Sequence, residues 1–258
     1  MSRKTVFYTD ELNEDFAGTN IDRKPLREDY RYVRKEPLWR AAEFLLYRVI
    51  AQPLVWLFVK AVFLQRFQNK RVLKAAKNSG AYLYANHTNG LFDAFVPNML
   101  DMRKRCWIIV GPDAMSIPGL NPVIEMLGGV PLGSTAKQKL EMRSCVAQRV
   151  GEKGLVTIYP EAHIWPWYTG IRPFSAASFV YPAHDGLPVY AVTNCYQKRR
   201  IGRFPKLLTF VDGPFYADLS LPIKERRERL RNQCYEAMQA RASEHSTYAY
   251  WNYVASGR

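Results

Sequence analysis

The chain has 258 residues, which suits one substantial domain with a smaller appendage. A hydrophobic content of 48% and an aromatic content of 14% exclude wholesale disorder. The formal net charge of +14 points to a polyanionic partner, either nucleic acid or an anionic membrane surface. The four cysteines form no C-x-x-C pair, which argues against a metal site or a disulfide framework. The first residues lack the apolar core of a signal peptide, which predicts a cytoplasmic protein.

The N-terminal quarter of the chain divides into a polar part and an apolar part. Residues 1–36 mix both charge signs without a sustained period and are predicted to form an arm. Residues 37–68 predict an amphipathic helix, a break or a kink at Pro53 and a second, more apolar helix. Because Gln52, Pro53 and Lys60 interrupt every window of the roughly 20 apolar residues that a membrane span needs, an interfacial helix pair is expected. The alternative is a helical hairpin packed on the protein's own core.

Residues 69–258 alternate between β-rich and helical patterns. Strands are predicted at 81–85, 106–110, 154–160, 187–195 and 207–215, and helices near 94–103, 118–127, 135–150 and 174–184, with a closing helix after residue 220. This alternation predicts an α/β domain with a mixed, mainly parallel sheet flanked by helices.

Polar segments follow two of the predicted strands, where open α/β sheets form their sites. The segment "NHTNGLFD" follows the first strand and carries His87 and Asp93, and "PEAHIWPW" follows the strand that ends near residue 160. A carboxylate that binds one imidazole nitrogen leaves the other to take a substrate proton, so the pair could be a general base and its orienting group. The alternative for His87 is a structural histidine in a turn. No G-x-S-x-G elbow is present, so the activated hydroxyl would belong to the substrate.

Four ordered blocks carry a resemblance to a known family. They are Asn86-His87 with Asp93, then "LGGVPL", then "YPE" ending at Glu161, then "LPVYAVT". In this order they resemble the PlsC-type glycerolipid acyltransferases, the 1-acylglycerol-3-phosphate acyltransferases, over roughly residues 37–245. The resemblance implies that His87 deprotonates the acceptor hydroxyl and Asp93 orients it, with no covalent enzyme intermediate. It also implies acyl-CoA or acyl carrier protein as co-substrate, no other cofactor, and a lysophospholipid acceptor at the cytoplasmic face of the membrane.

The resemblance further implies a set of substrate-binding residues. Pro160 and Glu161 would bind the glycerol or head group of the acceptor, and Gly128, Gly129 and Pro131 would line the acceptor site.

Two departures from the family pattern bear on this site. Five residues separate His87 and Asp93 where the family usually has four. Either the Asn-Gly turn between them loops out the extra residue and leaves the pair in contact, or the pair is broken. Ser134 stands where the family has a phosphate-contacting Arg. Either the acceptor carries no free phosphate, or phosphate binding comes from elsewhere, with Arg172 and His163 as candidate ligands. The basic run 198–200 is another candidate, although a solvated surface is favoured for it.

These departures motivate an alternative function, a catalytically degenerate member that binds lipid or membrane. Nucleic-acid binding rests on net charge alone, because the aromatic residues cluster in apolar segments and do not interleave with Lys and Arg. No nucleic-acid partner is therefore expected.

Overall fold

The computed structural model describes residues 4–18, 24–117, 119–202 and 204–256. Its strands are β1 (Lys4–Tyr8), β2 (Arg66–Gln68), β3 (Ala81–Ala85), β4 (Cys106–Val110), β5 (Gly129–Pro131), β6 (Leu155–Ile158), β7 (Val189–Gln197), β8 (Lys206–Phe215) and β9 (Trp251–Ala255). Its α-helices are α1 (Pro37–Phe44), α2 (Gln52–Phe63), α3 (Pro112–Met115), α4 (Asn121–Met126), α5 (Ala136–Gly151), α6 (Val180–Asp185) and α7 (Ile223–His245). A π-helical segment (Leu45–Ala51) joins α1 to α2, and short 3-10 helices cover Lys70–Ala76, Gly90–Ala94, Val96–Met99 and Ala177–Phe179.

The main sheet has seven strands in the order β2-β8-β7-β3-β6-β4-β5. Only the β7–β8 pair is antiparallel, and the other pairings of this sheet are parallel. The predicted mixed, mainly parallel sheet is confirmed. Since β3, β4, β5 and β6 run in one direction, their carboxyl ends lie at the same edge of the sheet, and β3 occupies the middle.

Both faces of the sheet are covered, because β3 and β6 are buried at every position. Tyr82 and Tyr84 on β3 belong to the core cluster that contains residues of α5 and α7. Ala81, Leu83 and Ala85 alternate with them and join the cluster on the opposite face, as the two-residue period of a strand requires. The two layers hold β3 rigidly, and with it the segment that follows.

The predicted break at Pro53 is wrong, because residues Pro37–Phe63 form one continuous helix of 27 residues. Proline lacks a backbone N–H, and here it lies in the first turn of α2, directly after the π-helical segment that accommodates the local change in hydrogen bonding. The helix ends at Leu64, which has a left-handed φ of 45°. The predicted helix pair or hairpin is therefore a single helix.

This helix is long and apolar enough to cross a membrane, judged by length and composition. Core helices of soluble proteins share that property, but they are mostly buried, whereas only 17% of the most apolar window of this helix is buried. The apolar side chains that it exposes are Leu38, Phe44, Leu45, Val49, Ile50, Leu54, Trp56, Leu57 and Phe58. A face of this size on one helix needs a partner.

The two ends of the described chain meet in a second sheet. Strand β1, from the predicted polar arm, pairs in parallel with β9 over five residues. Residues 1–3 and 19–23 of the arm lie outside the described residues. Tyr32 and Val33, later in the arm, pack against the main core cluster. The described parts of the arm are thus attached to the rest of the protein both near their start and near their end.

Candidate active site

His87 and Asp93 are in contact despite the five residues between them. His87 lies two residues beyond the end of β3, and the 3-10 helix Gly90–Ala94 returns the chain so that Asp93 faces it. Gly90 has a φ of +47°, the left-handed conformation in which an extra residue is accommodated. The distance from His87 Nδ1 to Asp93 Oδ2 is 2.8 Å. The predicted helix near residues 94–103 is instead two short 3-10 helices, and the first of them delivers the carboxylate.

Both oxygens of the Asp93 carboxylate are engaged. Besides His87, the backbone N–H of Asn89 donates to Oδ2 over 2.9 Å, and the Asn194 amide donates to Oδ1 over 3.4 Å. The Asp93 side chain is 1% exposed, whereas that of His87 is 17% exposed. With Nδ1 donating to a buried carboxylate, the lone pair of the imidazole resides on Nε2, on a ring that solvent or substrate can reach.

Tyr159, the residue directly after β6, supports the pair. Its ring stacks on the His87 ring with centroids 4.3 Å apart, and its hydroxyl donates to the backbone carbonyl of Asp93. Burial raises the pKa of Tyr159 well above its usual value, so the phenol remains a donor. The residue that precedes the "PE" pair therefore positions both members of the His-Asp pair.

Glu161 and Arg172 form a buried ion pair behind His87. The Glu161 carboxylate accepts from the His87 backbone N–H over 3.3 Å and lies 3.5 Å from Arg172 Nη2. Arg172 Nη2 also donates to the backbone carbonyls of Glu161 and His163. Burial raises the pKa of Glu161, against the opposing effects of the Arg172 charge and the His87 N–H.

These positions do not fit the roles expected for Glu161 and Arg172. Their side chains are 0% and 1% exposed and bind each other and the backbone. A head-group ligand or a phosphate-binding cation has to be reachable by the substrate, and both of these side chains are enclosed by protein. The structure instead makes them the support of the backbone at His87.

The other predicted binding residues are Pro160 and His163, which follow β6, and the basic run 198–200. His163 is half-buried, with Nδ1 3.5 Å from Asp15 of the arm, and Pro160 is half-buried at the end of β6. Lys198 and Arg200 are exposed, in keeping with the favoured solvated surface. Arg199 between them instead donates to the Val62 carbonyl, near the end of α2.

The glycine-rich block runs into and along β5, with Gly129 opposite Ile108 in the middle of β4 and Pro131 opposite Val110 at its carboxyl end. A Cβ on Gly128, whose φ is +99°, would lie 2.6 Å from the Cys106 carbonyl oxygen, so glycine here permits close packing on β4. Strand β5, which holds Gly129 and Pro131, is three strands from β3, about 14 Å at the usual strand spacing. At that spacing Gly129 and Pro131 do not contact the segment that carries His87. Ser134, in place of the expected Arg, binds the Gln138 side chain at the start of α5.

The sequence pattern does not predict how residues near the two chain termini hold the loop after Glu161. The backbone N–H groups of Trp165 and Trp167 donate to the carbonyls of His87 and Thr88, over 3.1 and 2.7 Å. Trp165 is fully buried, stacks on Tyr253 of β9 and donates from its indole to the Glu14 carbonyl. The many aromatic residues of "HIWPWY" indicate that this segment is packed, but the neighbouring sequence does not show which residues it packs against.

The described residues contain no group of three or more His, Cys, Asp or Glu side chains that could hold a metal ion. All four cysteines are buried and unpaired with one another. The reactive group of this site is therefore the His87 imidazole, which binds the buried Asp93 carboxylate through Nδ1 and has its lone pair on Nε2.

Comparisons with known proteins show the family and the fold. The acyltransferase family model matches residues 64–194, which include His87 and Asp93. The crystal structure of the 1-acyl-sn-glycerophosphate (LPA) acyltransferase PlsC from Thermotoga maritima is similar in fold, with a TM-score of 0.56, 20% sequence identity, and 80% of this chain and 86% of that chain covered. A search of curated proteins found no match. Since the family model spans half of the sequence and contains the His-Asp pair, the chain belongs to the acyltransferase family.

Proposed function

We propose that this acyltransferase moves a fatty acyl group from a thioester, acyl-CoA or acyl carrier protein, to the hydroxyl of a lysophospholipid that resembles 1-acylglycerol-3-phosphate. The observation that carries the proposal is the 2.8 Å contact between His87 Nδ1 and the buried Asp93 carboxylate at the end of the central strand. A histidine held in this way is suited to take a proton from a neutral alcohol.

The proposed reaction has one acyl transfer step. His87 Nε2 takes the hydroxyl proton as the acceptor oxygen attacks the thioester carbonyl, and Asp93 stabilises the imidazolium that forms. The new carbon–oxygen bond replaces the carbon–sulfur bond, and the departing thiolate receives the proton from His87. Acyl ester and free thiol are the products, and no bond to the enzyme forms.

We propose that the helix Pro37–Phe63 holds the protein at the cytoplasmic face of a membrane, as a peripheral or monotopic protein. Its exposed apolar side chains support insertion into the interface between head groups and acyl chains. From residue 44 to residue 92 the sequence contains seven Lys and Arg residues and no Asp or Glu. Such a segment is attracted to anionic lipids, and this location matches where amphiphilic substrates reside.

Replacing Leu54 and Leu57 together by glutamine is expected to weaken binding to anionic lipid vesicles at least about 10-fold, because two exposed leucines lose their transfer into the bilayer. Vesicle co-sedimentation measures this. The matched control is Leu140→Gln on α5, where an equally exposed leucine at 65% lies outside the helix, and binding should be retained. Equal binding by the double variant and the wild type would contradict membrane attachment through this face.

The proposed activity is tested by thiol release from acyl-CoA and from acyl carrier protein against a panel of acceptors. The panel pairs 1-acylglycerol-3-phosphate with acceptors that lack phosphate, such as monoacylglycerol and simple long-chain alcohols. We expect acceptor-dependent thiol release and an ester product identified by its mass. Vesicle binding without acceptor-dependent thiol release on any acceptor would support the alternative, a lipid-binding protein without catalysis.

A further inference from the structure

A line of buried polar side chains runs across the sheet to Asp93. Gln65 follows the end of the helix Pro37–Phe63, Thr209 lies on β8 and Asn194 lies on β7, and they are 1%, 0% and 2% exposed. Gln65 Nε2 donates to Thr209 Oγ1 over 2.8 Å, and Thr209 Oγ1 donates to Asn194 Oδ1 over 2.7 Å. The Asn194 amide nitrogen then faces Asp93 Oδ1 at 3.4 Å.

The direction of donation along this line decides which end of the Asn194 amide meets the carboxylate. A threonine hydroxyl has one proton to give. Because the Gln65 amide donates to the Thr209 oxygen, the hydroxyl proton is directed to Asn194 Oδ1. The oxygen end of the amide is thereby held on β8, and the N–H end points at Asp93. In the reversed orientation a carbonyl oxygen would face a buried carboxylate, which is unfavourable.

The backbone of Asn194 is tied to the same site. Its N–H donates to Asn86 Oδ1 over 2.8 Å, and Asn86 Nδ2 donates to the Asn194 carbonyl over 3.1 Å. Asn86 immediately precedes His87, and the Asn194 side chain reaches Asp93. One residue of β7 therefore contacts both the segment that carries the imidazole and the carboxylate that orients it.

We propose that Asn194, oriented by Thr209 and Gln65, is a positioning residue that holds the Asp93 carboxylate so that Oδ2 remains on His87 Nδ1. The inference rests on the proposed role of His87 as general base. Asn194 touches no substrate in this account. It acts by keeping His87 in the tautomer that leaves Nε2 free, so its loss affects turnover and leaves acceptor binding unaltered.

The test compares two threonines on adjacent strands. Thr209→Val removes the hydroxyl that orients Asn194, and Thr209→Ser restores it. The matched control is Thr193→Val, since Thr193 is equally buried on β7 and its hydroxyl has no hydrogen-bond partner among the residues that the structure describes. For Thr209→Val we expect kcat to fall about 10-fold with KM nearly unchanged, because misplacement by a fraction of an ångström impairs the near-attack geometry. Thr209→Ser and Thr193→Val should retain wild-type kcat.

A second readout does not depend on activity. Long-range 1H–15N correlation spectra of the imidazole report the two tautomers of His87, which is assigned by loss of its signals in His87→Ala. We expect Thr209→Val and Asn194→Leu to increase the share of the Nε2-protonated tautomer, with Thr193→Val unchanged. Gln65→Met, which lies outside the β7–β8 pair, should increase the share of the same tautomer by a smaller amount. It replaces the other two variants in this test if they do not fold.

The two readouts separate failure of this inference from failure of the proposed function. A wild-type tautomer ratio in folded Thr209→Val and Asn194→Leu, or in Gln65→Met if those two do not fold, would overturn the positioning role. If the wild-type protein lacks acyl transfer but the ratio changes as expected, the proposed function fails while the hydrogen-bond line to Asp93 is supported.

Discussion

Replacement of His87 by alanine is expected to lower kcat for acyl transfer by about 10²- to 10⁴-fold, the usual contribution of general-base catalysis. The imidazole is the group that lies on a buried carboxylate while remaining 17% exposed, so its removal leaves the acceptor hydroxyl without a base. Acceptor-dependent thiol release, measured at saturating acyl thioester, provides kcat. Since the side chain is not part of the apolar core clusters, the variant should fold normally.

His184→Ala is the matched control, because His184 is exposed near the end of α6 and should retain wild-type kcat. Asp93→Asn tests the orienting group separately. An amide that donates to His87 Nδ1 favours the tautomer with its proton on Nε2, so kcat should fall strongly here too. Normal acceptor-dependent thiol release by His87→Ala would rule out the proposed mechanism.

Arg172→Met is expected to destabilise the protein by about 3–5 kcal/mol, because it leaves the carboxylate of Glu161 buried without its ionic partner. The Arg172 and Glu161 side chains are 1% and 0% exposed, so water cannot replace the lost contact. Three carbonyls also lose a guanidinium donor, those of Glu11, Glu161 and His163. Urea unfolding monitored by circular dichroism gives the free energy of unfolding.

The control for this prediction is Arg103→Met, which breaks the ion pair between Arg103 and Asp101. Because the Arg103 side chain is 73% exposed, this substitution should change the free energy of unfolding little. The double variant Glu161→Leu with Arg172→Met should recover part of the loss, because no buried charge remains unpaired. If Arg172→Met unfolds at the same urea concentration as the wild type, the pair does not support the fold.

Several features were predicted from local pattern alone. The strands at 81–85 and 106–110 were predicted at their observed bounds, because their apolar runs are short and bounded by polar turns. Strand order was not predicted in detail, but the alternation of strands and helices was sufficient for a mainly parallel sheet. In such a sheet the segments after β3 and β6 must meet at one edge, which is why His87 and the loop of Glu161 come together.

Other features depend on neighbours that are distant in the sequence. A proline inside an apolar segment usually interrupts a helix, yet at Pro53 the preceding π-helical segment keeps the helix continuous. The direction in which a charged side chain points is also not a local property. Glu161 and Arg172 look like substrate ligands in the sequence, and only their mutual burial shows that they face inward.

The amino-acid sequence by itself determined the fold class, the family resemblance carried by four ordered motifs, and the two residues of the proposed base. Hydrophobic period and motif order can be recognised without knowing which residues pack together. Only the tertiary structure decided that the extra residue near Gly90 leaves His87 and Asp93 in contact. It also decided that Asn194 and Thr209, more than 100 residues along the chain from Asp93, share its hydrogen bonds. A hydrogen bond needs donor and acceptor atoms within about 3.5 Å, and only the packing of the sheet brings such distant residues that close.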